Sequence, residues 1–174
     1  MTGASLVEQL ETPTLEKKYA IYDALVFGLQ KATQGRNRKK ALLLITAGQN
    51  NGSRRDYKEL INSVKNSDVQ IYCLGVGNTS SRAGDMSDYQ IGHLLLRELA
   101  DLTGGRSYFK DEPQQLTYAV KVIAAHLRGQ YRLGYSPTNR TDSEKWRKVK
   151  IRILPSSGRQ NRKCNTRKGF YLKR

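Results

Sequence analysis

The 174 residues carry a formal charge of +16 and are only 37% hydrophobic, enough for one domain whose core must come from a few concentrated apolar runs. No apolar stretch approaches the roughly 20 residues of a membrane span, and Met1–Glu8 lacks the basic start and apolar centre of a secretory signal, so the chain alone reads as cytoplasmic. The charge is uneven: Arg128–Arg174 holds fifteen Lys or Arg against Asp142 and Glu144, so basicity belongs to the C-terminal quarter.

Residues 1–18 are polar apart from Leu6, Val7, Leu10 and Leu15 and suit a linker or a short edge strand. A helix follows from Tyr19, with Ile21, Leu25, Gly28, Leu29 and Ala32 on one face and Gly35 as its C-cap. Ala41–Thr46 is an unbroken apolar run, predicting a strand buried on both faces. Ser53–Asp56 is a capping-box pattern that predicts a helix with Tyr57, Leu60, Ile61 and Val64 inward. Val69–Gly77 predicts a second buried strand, Asn78–Asp88 a polar loop, and Tyr89–Leu102 a helix with Ile91, Leu94, Leu95, Glu98 and Leu99 at helical spacing. Gly104 supplies a left-handed cap before a short strand at Arg106–Phe109. Asp111 then caps a helix with Leu116, Val120, Ile123 and Leu127 as its buried stripe. After Gln130 the rhythm changes to consecutive strands: Tyr131–Tyr135, Lys148–Ile153 and Lys168–Leu172.

Strands alternating with helices imply an α/β fold, a doubly wound parallel sheet with helices on both faces. The expected divisions are 1–18, an α/β layer at 19–129, and a small antiparallel β extension at 130–174. In such sheets ligands bind beyond the carboxyl ends of strands. That places the candidate site in the loop after Ala41–Thr46, at Gly48, Gln49, Asn50, Asn51 and Ser53. The loop contains no carboxylate, and hard divalent cations favour carboxylate oxygens.

Catalytic signals are absent: there is no phosphate-binding glycine loop, no nucleophile elbow and no zinc spacing. Gly75-Val-Gly77 lacks the third glycine of a dinucleotide site, Asp85 and Asp88 read as solvated loop acids, and His93 and His126 are isolated. Cys73, in an apolar strand, and Cys164, in a basic tail, read as free thiols. The expectation is therefore no enzyme.

Seven segments in order carry a family likeness: Tyr22–Leu25, Leu42–Ser53, Val69–Gly77, Leu96–Arg106, Gln130–Pro137, Trp146–Arg152 and Arg167–Tyr171. Over roughly residues 20–172 they resemble the von Willebrand factor type A domain, in a bacterial branch with a short β extension. The resemblance implies a protein-interaction module holding Mg²⁺ in a metal-ion-dependent adhesion site. It also implies that each metal contribution is missing here. The Asp-x-Ser-x-Ser loop of a central first strand is absent, Tyr19 stands at the position of a threonine, Ala47 at that of an aspartate, and Asn50 at that of a neighbouring acid. The expectation is a module without cofactor, lacking the usual central strand: a truncated or decaying gene product, or one in which another chain or residues 1–18 fill the gap. Relatives of this branch are commonly exported, in conflict with the missing signal. The alternative is polyanion or nucleic-acid binding through Lys148, Lys150, Arg152, Arg162, Lys163, Arg167 and Lys168, with Tyr131, Trp146 and Tyr171 available for stacking.

Overall fold

A computed structural model describes residues 18–76, 86–109, 113–138, 145–154 and 164–171. Strands β1 (Ala41–Thr46), β2 (Gln70–Gly75) and β3 (Ser107–Phe109) run parallel in the order β1-β2-β3. Ala41 lies opposite Gln70, and Cys73 opposite Ser107. Helices α1 (Ile21–Thr33), α2 (Tyr57–Asn66), α3 (Met86–Thr103) and α4 (Pro113–Arg128) flank them. A separate two-stranded antiparallel sheet pairs β4 (Arg147–Lys148) with β5 (Gly169–Phe170). The α/β class and the separate β extension follow the alternation of elements in the chain.

β2 organises both layers because it is central and apolar at every position from Ile71 to Leu74. Ile71 and Cys73 point into a core shared with Leu25 and Leu29 of α1, Leu60 and Val64 of α2, and Leu96 and Leu99 of α3. Tyr72 and Leu74 point the other way, onto Ala119 and Ile123 of α4. Removing a side chain as enclosed as Leu25 or Leu96 would cost about 2–5 kcal/mol. Burial alone pushes the Cys73 thiol up to about 12, so it behaves as a small hydrophobe. Both cysteines are free thiols, Cys73 buried and Cys164 exposed.

β1 is not buried on both faces: Leu43 and Ile45 are 44% and 60% exposed, while Leu42 and Leu44 pack toward the α1–α3 core. Among the described residues β1 pairs only with β2, and no described helix covers its second face as α4 covers that of β2. The helix after the loop is capped three residues later than the Ser53 pattern suggests. Asp56 accepts from Glu59 N at 2.8 Å, and Glu59 Oε2 accepts from Asp56 N at 3.0 Å. Gly35 is not in the left-handed region; at the end of α1 Gln34 N donates to Gln30 O at 3.3 Å, Gly35 N to Ala32 O at 3.1 Å, and the Lys40 ammonium to Thr33 O. In α3 the buried set is Leu95, Leu96, Leu99 and Ala100, whereas Ile91 and Leu94 are exposed. In α4 Ala119 and Ile123 are buried, while Val120 faces outward. Gly104 does adopt the left-handed conformation, with φ of 78°.

The β extension is shorter than its alternation suggests. Only Arg147–Lys148 and Gly169–Phe170 pair; Tyr131–Tyr135 is outside the described sheets, with Tyr131, Leu133 and Tyr135 exposed. The extension is nevertheless tied to the α/β layer. Lys168 N donates to Leu102 O at 3.1 Å and Asn165 Nδ2 to Gly105 O at 3.3 Å. The Arg167 guanidinium donates to Ser67 O and, at 2.5 Å, to Lys65 O, and pairs with Asp68 at 3.7 Å. Expectations for residues 1–17, for Gly77 and most of the Asn78–Asp88 loop, for the Asp111 cap, and for Arg162 and Lys163 lie outside the described residues.

Candidate functional site

The loop leaving β1 is shaped by a glycine that the fold requires. Gly48 has φ of 88°, and a Cβ there would come within 2.8 Å of Gly92 in α3. The loop thus runs directly against a helix backbone. Thr46 Oγ1 accepts from Gly48 N at 3.1 Å and holds the turn at the strand end.

Beyond Gly48 the polar side chains turn inward upon the start of α1. Tyr19 N donates to Asn51 Oδ1 at 2.6 Å, while Tyr19 O accepts from Asn51 N at 3.0 Å and Gly52 N at 3.1 Å. Ser53 Oγ accepts from Tyr22 N at 3.1 Å and donates to Asn50 Oδ1 at 2.5 Å. The residue at the expected metal-ligand position is Ala47, which offers only its backbone. Gln49 is half-buried beside it. The structure therefore places two adjoining hydrogen-bonded sets at the start of α1, Tyr19 with Asn51 and Tyr22 with Ser53 and Asn50.

Asp23 of α1 is a carboxylate engaged by the residues that follow the loop. Its oxygens accept from Arg54 N at 2.8 Å, Arg55 N at 3.2 Å and the Arg55 guanidinium at 3.1 Å. The Arg54 amide, opposed by partial desolvation and helped by Arg55, holds the carboxyl below its ordinary value. No three His, Cys, Asp or Glu converge in a metal-sized cluster among the described residues.

Residues 2–90 match the family model of the von Willebrand factor type A domain. The chain belongs to this family. No curated protein matches it. The matched span contains β1, β2 and the Gly48–Ser53 loop between them.

The basic residues expected to form a second site lie beyond the span matched to the von Willebrand factor type A model, and Arg167 does not share a surface with Lys148, Lys150 and Arg152. Lys148, Lys150 and Arg152 are exposed, alternating with half-buried Arg147, Val149 and Ile151, and Lys168 is exposed on the adjoining strand. Arg167 is withdrawn from any such patch, because its guanidinium is spent on backbone carbonyls and Asp68. Trp146 and Tyr171 pack edge to face at 5.1 Å, and Lys65 and Arg167 cover the indole, which removes the Trp146 face from stacking. Sequence reasoning gave no role to Asp23 or Gly92. Asp23 was visible only as the centre of Tyr22-Asp23-Ala24, and its partners lie 31 and 32 positions away.

Proposed function

We propose that this domain is a non-catalytic protein-interaction module that binds its partner without a metal ion. The observation that carries the reading is the engagement of Asn51 with Tyr19 and of Asn50 and Ser53 with each other and Tyr22. A hard divalent cation takes carboxylate, carbonyl and hydroxyl oxygens at fixed separations. The loop offers Ala47 and neutral side chains whose oxygens already accept from Tyr19 N, Tyr22 N and the Ser53 hydroxyl, so this donor set does not fit Mg²⁺. The surface we assign to the partner is β1, where Leu43 and Ile45 keep an apolar face open and the described backbone pairs on one side only. A strand contributed by another chain would satisfy both features.

Calorimetric titration of the 174-residue chain with Mg²⁺ and Mn²⁺ tests the metal part. Only heats of dilution are expected; saturable binding in the micromolar range would overturn it.

A second reading, polyanion binding by the extension, is favoured by the exposed row of Lys148, Lys150 and Arg152. Retention on heparin that persists above about 0.1 M salt supports it, and elution below that marks ordinary charge attraction.

A further inference from the structure

At the end of the sheet where the strands begin lies a cavity of about 630 Å³, away from the Gly48–Ser53 loop. Arg36, Arg38, Lys39, Lys40, Arg132 and Arg167 line it, with Asp68 as the carboxylate among the lining residues. These cations come from three separate places: the connection into β1, the chain after α4, and the docked extension. Their convergence is a property of the fold and not of a basic run in sequence.

Some of the charge has structural work. Lys40 donates to Thr33 O at the end of α1, Lys39 donates to Gln130 O at 2.9 Å beyond α4, and Arg167 is held by the Ser67 and Lys65 carbonyls beside Asp68. Arg36, Arg38 and Arg132 make no hydrogen bond or ion pair with described residues, and each is exposed at the cavity. Three guanidiniums gathered around one space repel one another unless an anion sits among them. Each presents a planar fork of donors matched to paired oxygens, as phosphate groups supply. The floor adds neutral polar groups, with Gln130 donating to Gln70 Oε1. The volume falls within the range of small-molecule sites.

We propose that this cavity binds a small anion carrying two or more phosphate groups, with Arg36, Arg38 and Arg132 as its movable contacts and Arg167 as a fixed charge behind them. The site is independent of the metal question at the opposite end of the sheet, and it is distinct from the Lys148–Arg152 row.

The test is calorimetric titration of the full chain with inorganic triphosphate at about 0.15 M salt, a concentration that screens scattered surface charge. Saturable one-to-one binding is expected. The Arg36→Ala/Arg132→Ala double variant should weaken it by about tenfold or more, the effect of losing one good charged contact. Lys148→Ala/Lys150→Ala should leave affinity within about twofold. Thermal melting confirms that both variants fold, since none of these side chains is buried. Absence of saturation, or equal losses in the two variants, would overturn the proposal.

Discussion

Gly48 and Gly92 meet backbone to backbone: a Cβ on either would stand 2.8 Å from a main-chain atom of the other. Neither glycine can gain a side chain without parting the β1 loop from α3. Gly48→Ala also forces an alanine to φ of 88°, where an L residue is strained by roughly 1–2 kcal/mol. Adding the overlap, we expect Gly48→Ala to cost about 3 kcal/mol and Gly92→Ala about 2 kcal/mol. Urea unfolding measures both, and losses below about 0.5 kcal/mol would show that the two segments are not packed as described.

Arg167 joins the extension to the end of α2 by donating to Ser67 O and Lys65 O. Arg167→Met keeps most of the side-chain volume and removes the donors, leaving two carbonyls short of partners. A loss of about 2–3 kcal/mol is expected. Arg167→Lys should recover little, because a single ammonium does not span both carbonyls as the guanidinium does. Limited trypsinolysis should cut the variant near Lys148–Arg152 faster than the parent; equal rates would contradict the tie.

Asp23 gives the loop a defined acid sensitivity. Its folded value lies below the ordinary 3.8, chiefly because the Arg54 amide donates to it. A depressed carboxyl contributes stability that is complete above its unfolded value and is lost as pH falls through the folded one. Asp23→Asn should therefore be less stable than the parent at pH 7, and the gap should shrink below pH 3.8. Urea midpoints at the two ends of that window read the difference, and a gap that widens in acid would reverse the assignment.

Leu43 and Ile45 make β1 a hazard when no partner is present, since an apolar strand open on one side templates association. Leu43→Lys with Ile45→Lys should raise the concentration at which light scattering begins, while leaving the melting temperature within a few degrees. A large drop in melting temperature would mean that these side chains are covered in solution.

The strands at 41–46 and 70–75 were legible because their apolar runs are short, dense and bounded by polar loops. Gly104 was legible because a helix ending in Thr-Gly-Gly leaves few alternatives. The face of α3 was not. Leu94, Leu95 and Leu96 are consecutive, so periodicity alone does not fix the phase, and packing against β2 and α2 buries Leu95 and Leu96 instead of Leu94. The cap of α2 failed for a related reason: Ser53-x-x-Asp56 and Asp56-x-x-Glu59 are overlapping versions of one pattern. The structure uses the second, and frees Ser53 to reach Tyr22 N. The inward turn of Asn51 onto Tyr19 links residues 32 positions apart, which spacing does not reveal.

Because the three strands run in one direction, the 36–40 segment, Arg132 and Arg167 collect where they start, while Gly48–Ser53 lies where β1 finishes. The described molecule is therefore electrically polarised along its strands. Approaching an acidic protein or surface, it would be turned before contact, cationic end foremost, with the Gly48 loop trailing and still accessible. That torque weakens beyond the roughly 8 Å over which physiological salt leaves charges unscreened, so it orders the last stage of an encounter rather than the search.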